Sequence, residues 1–299
     1  MSPTLTGLLD AVAPDPAVVE VVRRARLTGT ASATEALDVT APSSYYPMLL
    51  GTLARAEGAD RPVLAVTATA REAEDLAGSL ASLLPEESVA EFPGWETLPH
   101  ERLSPSSDTV GRRLGVLRRL AHPDPSDPAT GPVRVIVAPI RAVLQPVVKG
   151  LGDLAPVSVQ QGDEVSMEDL VRRLSGAAYT RTDLVDKRGQ LAVRGGILDV
   201  FPPTEEHPVR LEFWGDTVEE IRWFKVADQR SLEVAPHGLW APPCRELLLT
   251  DEVKDRARVL RDQHPELLDL LDKLVEGIGV EGMEALAPVL ADGMELLVD

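Results

Sequence analysis

Two adjacent prolines constrain this chain more than any other feature. Pro202 and Pro203 follow the apolar run 196–201 (GILDVF). Neither can donate to a ladder or leave a φ near −65°, so a strand must end there. A second run, 209–214 (VRLEFW), alternates: Val209, Leu211 and Phe213 fall on one face, Arg210, Glu212 and Trp214 on the other. One face suits a core and the other is displayed. Gly215-Asp216 supplies a turn before a third run, 218–224, so the stretch 190–230 is expected to form an antiparallel meander.

The chain has 299 residues, which favours two or three domains over one. Its 44% hydrophobic and 26% charged residues are those of an ordinary globular protein. No window is long and apolar enough to span a bilayer, and Asp10 and Asp15 interrupt any secretory pattern at the start. A single cysteine, Cys244, excludes an internal disulfide and a cysteine-cluster zinc site, and a reducing cytoplasm is expected. The net charge of −18 opposes non-specific nucleic-acid binding, which depends on Lys and Arg at phosphates. Charge is unevenly spread: residues 181–230 hold eight basic and ten acidic groups, whereas residues 101–150 hold eight basic and four acidic.

Residues 1–30 show a helical pattern without catalytic groups. A short apolar run at 36–40 is expected to be a strand leading through Pro42, Ser43, Ser44, Tyr45, Tyr46 and Pro47 into a helix over 48–54. A nucleotide-binding protein places its phosphate loop in such a position. Here the loop has no glycine or lysine, and Pro42 and Pro47 remove amide donors, so no nucleotide is expected to bind in the usual way. The strand 62–69 with the helix 70–84, and further strands at 89–92 and 134–138 with a helix over 140–148, predict a parallel sheet covered on both faces. From Gly152 the texture changes: a strand at 157–159, a helix from Ser166 ended by Gly176, then the meander, together a separate α+β unit. Helices are expected over 251–263, 265–276 and 282–290. The closing apolar run from Glu295 reads as the start of a further element, as in a truncated chain.

Two motifs make a resemblance specific. The segments RGGILDVFPP, VRLEFWGD and IRWF resemble a signature shared by the repair helicase UvrB and the N-terminal region of the transcription-repair coupling factor family; WETLPHERLSPSSDTVGRRL, from Trp95, resembles the coupling factors in particular. UvrB carries a Gly-Ser-Gly-Lys-Thr phosphate loop where this chain has VTAPSSYYP. The resemblance covers essentially the whole chain. It implies a degenerate helicase-like (RecA-like) α/β domain with a parallel sheet, formed by residues 1–152 and 241–299 and interrupted by an inserted α+β domain with an antiparallel sheet over 153–240. By that resemblance the insertion binds UvrA, with Arg194, Arg210 and Trp214 at the interface. It further implies a longer protein that uses ATP and Mg to translocate on double-stranded DNA, contacts RNA polymerase and masks the UvrA surface with its own C-terminal domain. For this chain itself no cofactor, no metal, no catalytic residue and no membrane partner are expected.

Competing readings stay open at this level. Arg210 and Trp214 fit either a solvated stacked pair or interface anchors, and Arg194 fits either an anchor or an exposed side chain beside a glycine bulge. The Trp95 motif fits a structural loop or an intramolecular docking surface, and the helix with Arg112, Arg113, Arg118 and Arg119 fits internal salt bridges or DNA contact. The five histidines have no metal-ligand spacing, and Cys244 has only Arg245 as a basic neighbour. The alternatives to UvrA recruitment are a UvrB-type ATP-dependent helicase fragment and an autoinhibitory domain acting on its own chain.

Overall fold

The computed structural model describes residues 5–27, 36–55, 57–98, 101–124 and 131–298. The chain forms two compact units, 1–94 with 116–145 and 95–115 with 146–299.

The first unit is a small parallel α/β layer. Helices α1 (Thr6–Val12), α2 (Pro16–Leu27) and α3 (Tyr46–Ala54) precede strand β1 (Val63–Thr67), helix α4 (Ala70–Ala81) and strand β2 (Val89–Glu91). Helix α5 (Ser107–Ala121) contributes its final turns here, before strand β3 (Val135–Pro139) and helix α6 (Ile140–Leu144). The sheet runs β1-β3-β2, all parallel, with β3 central and buried at every position. Continuous apolarity is what a strand covered on both faces requires. A capping box starts α4: the Glu72 amide donates to Thr69 Oγ1 at 3.2 Å, and the Thr69 amide donates to Glu72 Oε2 at 3.3 Å. Leu9, Ala73, Leu80, Val135 and Val137 form the core.

Two local expectations are revised in or near this unit. Residues 36–42 form no strand, and Leu37 and Val39 are exposed; an apolar run with no partner edge gains no ladder. The helix expected over 140–148 stops at Leu144 because Pro146 lacks the amide the next turn needs. Val147–Val148 instead become β4 of the second unit, antiparallel to β13 (Met294–Glu295). Most of the loop 122–132, with the Pro99-His100 pair and the first four residues, lies outside the described residues.

The second unit carries the meander. After β4 and a 3-10 turn at Leu151–Asp153 come β5 (Val157–Val159), helix α7 (Met167–Gly176), β6 (Thr180–Arg181), β7 (Gln190–Arg194), β8 (Ile197–Val200), β9 (Val209–Trp214), β10 (Thr217–Phe224), β11 (Ser231–Val234) and β12 (Leu239–Ala241). The expected three strands sit inside a six-stranded sheet, β11-β10-β9-β8-β7-β6, antiparallel except for the β6–β7 pair. β12 pairs with β5. Ser166 caps α7 and the helix ends at Gly176, as expected; the left-handed φ beyond it, +66°, falls on Ala178 and not on the glycine. Leu170 and Leu174 of α7 pack on Leu191, Leu198, Leu211 and Ile221 of the sheet's inner face. Helices α8 (Asp251–Gln263), α9 (Leu268–Val275) and α10 (Ala287–Leu290) then build a second core from Val253, Ala257, Leu271, Leu274 and Leu290.

Gly195 and Gly196 join β7 to β8 in a two-residue hairpin, not a bulge, since Arg194 pairs with Ile197. Gly195 takes a φ of +60°, and Gly215 a φ of +61° in the β9–β10 hairpin. A left-handed residue at the first turn position matches the twist of the flanking strands. The sheet's irregularities lie elsewhere, between Val218 and Glu220 where β10 pairs with β9 and between Arg222 and Phe224 where it pairs with β11.

Candidate docking face

The outer face of the six-stranded sheet is built in rows by strand register. One row holds Ala192, Asp199, Arg210 and Arg222; the next holds Arg194, Ile197, Glu212 and Glu220; Trp214 and Thr217 close the sheet end. Alternation puts these residues opposite the core because Leu191, Leu198, Leu211 and Ile221 point inward.

Arg194 and Arg210 converge on Asp199. Arg210 Nε donates to Asp199 Oδ1 at 2.7 Å and Nη2 to Oδ2 at 2.9 Å; Arg194 Nη2 donates to the same Oδ2 at 2.5 Å. The Asp199 side chain is 1% exposed, that of Arg210 12% and that of Arg194 42%. These hydrogen bonds to Asp199 push the Arg210 pKa above its ordinary value, against its burial. Two guanidiniums around one carboxylate leave the cluster with one net positive charge.

One end of the face is roofed and the other is open. The Arg210 guanidinium lies 4.6 Å from the centroid of the buried Phe224 ring and donates to the Gln229 carbonyl at 3.2 Å. Val185, Ala192, Phe201 and Phe224 form a small cluster at this end. At the open end Trp214 is 78% exposed beside the exposed Glu212. Arg210 stacks on Phe224, so the expected Arg210–Trp214 stacked pair is replaced by a different partner. Trp214 shares the face but stands four residues along β9, about 13 Å at ~3.3 Å per residue. The three expected residues therefore divide into a joined arginine pair and a separate aromatic.

Sequence reasoning missed Asp199 and Phe224. The signal for Asp199 was present: it is the one charged residue in GILDVF, with Leu198 and Val200 fixing the opposite face. Phe224 carried none, because an apolar strand end suggests core on either face.

Other candidates resolve into structure. The arginines of α5 are engaged internally: Arg113, fully buried, meets Glu246 Oε1 at 2.5 Å, Arg112 lies 3.3 Å from Asp108, and Arg119 donates to the carbonyls of Gly131 and Glu87. Trp95 Nε1 donates to Glu246 Oε1 at 3.1 Å, and Ser104 Oγ to Glu284 Oε2 at 2.5 Å, so the motif around Trp95 packs as a structural loop. Cys244 is buried, which pushes its thiol pKa up to about 12. A thiol so protonated is no nucleophile at neutral pH. Among the described residues no group of His, Cys, Asp and Glu could hold a metal, and no helix is long and apolar enough to cross a membrane. Where a phosphate loop would stand, a cavity of about 900 Å³ is lined by Ser43, Ser44, Tyr46, Thr67, Glu72 and Asp75, among others. Glu72 and Asp75 add two carboxylates to that lining, which disfavours phosphate there.

Residues 157–240, which hold this antiparallel sheet, match the UvrB interaction domain family. Over 99% of its length it is 47% identical to the transcription-repair-coupling factor of Mycobacterium tuberculosis (strain CDC 1551 / Oshkosh), and over 83% it is 36% identical to that of Myxococcus xanthus. Against UvrABC system protein B of Streptomyces avermitilis it is 32% identical over 67% of the chain, covering 30% of that protein. The sequence belongs with the UvrB-like N-terminal region of transcription-repair-coupling factors. It spans 24% of the length of the mycobacterial relatives.

Proposed function

We propose that this chain is a protein-interaction module that binds UvrA through the outer face of its six-stranded sheet and so recruits excision repair to a stalled RNA polymerase. One observation carries the reading: within the matched domain, a 78% exposed tryptophan shares a sheet face with a net-positive arginine pair in a chain of net charge −18. Aromatic and arginine side chains are the usual anchors of protein interfaces. The proposed arrangement remains a degenerate RecA-like domain, 1–152 and 241–299, interrupted by the α+β insertion at 153–240. The match at 157–240 falls inside the proposed insertion. ATP with Mg, double-stranded DNA, RNA polymerase and a masking C-terminal domain belong, on this proposal, to the remaining three quarters of a full-length factor. This chain itself catalyses nothing.

The test is titration of UvrA with this chain and its variants. Trp214→Ala and Arg194→Glu alter exposed side chains and should each weaken binding by about 2 kcal/mol, near thirtyfold, with unchanged circular dichroism. Arg210→Glu is a poorer probe, because it would set two carboxylates together in a buried row. Unchanged affinity in both the Trp214 and Arg194 variants would sink the assignment.

A further inference from the structure

We propose that Asp199 is a positioning residue of the docking face: from β8 it holds the exposed Arg194 side chain, through the shared Oδ2, in the orientation in which a partner carboxylate meets it. The inference rests on the docking reading above and adds a residue to it. Arg210 alone satisfies the buried carboxylate, since its Nε and Nη2 meet both oxygens at 2.7 and 2.9 Å. The third bond, from Arg194 at 2.5 Å, is therefore not required to bury Asp199. Its effect falls on Arg194, a long side chain 42% exposed that would otherwise sample many rotamers in solvent. A side chain ordered before association loses less freedom on binding. Arg210, 12% exposed and held by Phe224, Gln229 and Asp199, is the rigid base of this arrangement.

The roles separate in a double-mutant cycle using this whole chain and UvrA. Asp199→Asn should weaken binding about five- to tenfold, the size of immobilising one rotamer-rich side chain. In an Arg194→Ala background the same substitution should have no further effect, because the group it positions is gone. A merely structural Asp199 would lower affinity equally in both backgrounds, and that result overturns the proposal. So does wild-type affinity in Asp199→Asn. Should that variant fold poorly, Asp199→Asn with Arg210→Gln restores a neutral hydrogen-bonded pair in the buried row. Measured against Arg210→Gln alone, which already lacks one cation of the face, it should show the same loss, again absent without Arg194. Trp214→Ala separates the two readings: lost binding there with none lost in Asp199→Asn sinks only the positioning role. Full binding in both Trp214→Ala and Arg194→Ala sinks the docking face itself.

Discussion

Arg194 and Arg210 bear the same charge and touch the same carboxylate, yet the sheet gives them different work. Arg210 is a packed residue whose guanidinium lies over Phe224, while Arg194 reaches the surface from the same Asp199. Burial decides between such roles, and burial was not readable from two arginines in alternating strands. The same rule governs Cys244, whose thiol burial holds up to about 12 from an ordinary value of 9. Between those values the unfolded chain releases a proton that the folded chain retains. Stability should therefore fall as pH rises from about 9 towards 12, by at most ~1.4 kcal/mol per pH unit from this group. Denaturant midpoints for wild type and Cys244→Ala, compared across pH 8 to 10.5, check the sign: the mutant should lose less stability. A thiol reagent at pH 8 should modify Cys244 only as fast as the chain opens.

At the scale of elements, local patterns marked most strands and helices, and the exceptions have tertiary causes. The meander followed from alternation and two proline stops, and α4 from the apolar spacing of Ala73, Leu76, Leu80 and Leu83, while its capping box emerged only in the structure. The run at 36–40 had strand composition but no edge to pair with, and 140–148 lost its second half to Pro146. The Trp95 motif was legible as a loop, whereas its reason was not: it supplies Trp95 to a carboxylate that also meets Arg113, 133 residues away in sequence from Glu246. Glu246→Ala should destabilise the chain by about 3 kcal/mol, because it takes the carboxylate from a buried guanidinium. Chemical denaturation followed by tryptophan fluorescence measures this, and a loss below about 1 kcal/mol would contradict it.

For the whole molecule, charge and loop chemistry make a common prediction. A net charge of −18, α5 arginines turned to internal partners, and two carboxylates at the cavity beside Ser43 and Ser44 leave little to hold phosphate. Calorimetric titration with ATP and Mg should give no heat of binding, and a duplex oligonucleotide should not shift at about 100 mM salt, where screening leaves only close contacts. Micromolar affinity for ATP would favour the helicase-fragment alternative instead.

The sequence by itself determined the alternating strands, the turn glycines, the lack of glycine and lysine in the loop at 40–47 and the family signature, because each rests on local backbone chemistry or residue identity. Only the tertiary structure decided that Asp199 joins two arginines from different strands, that Phe224 underlies one of them and that Trp214 stands apart on the open end. Those relations depend on strand register and on which loop covers which edge, and neither is encoded within a single run of residues.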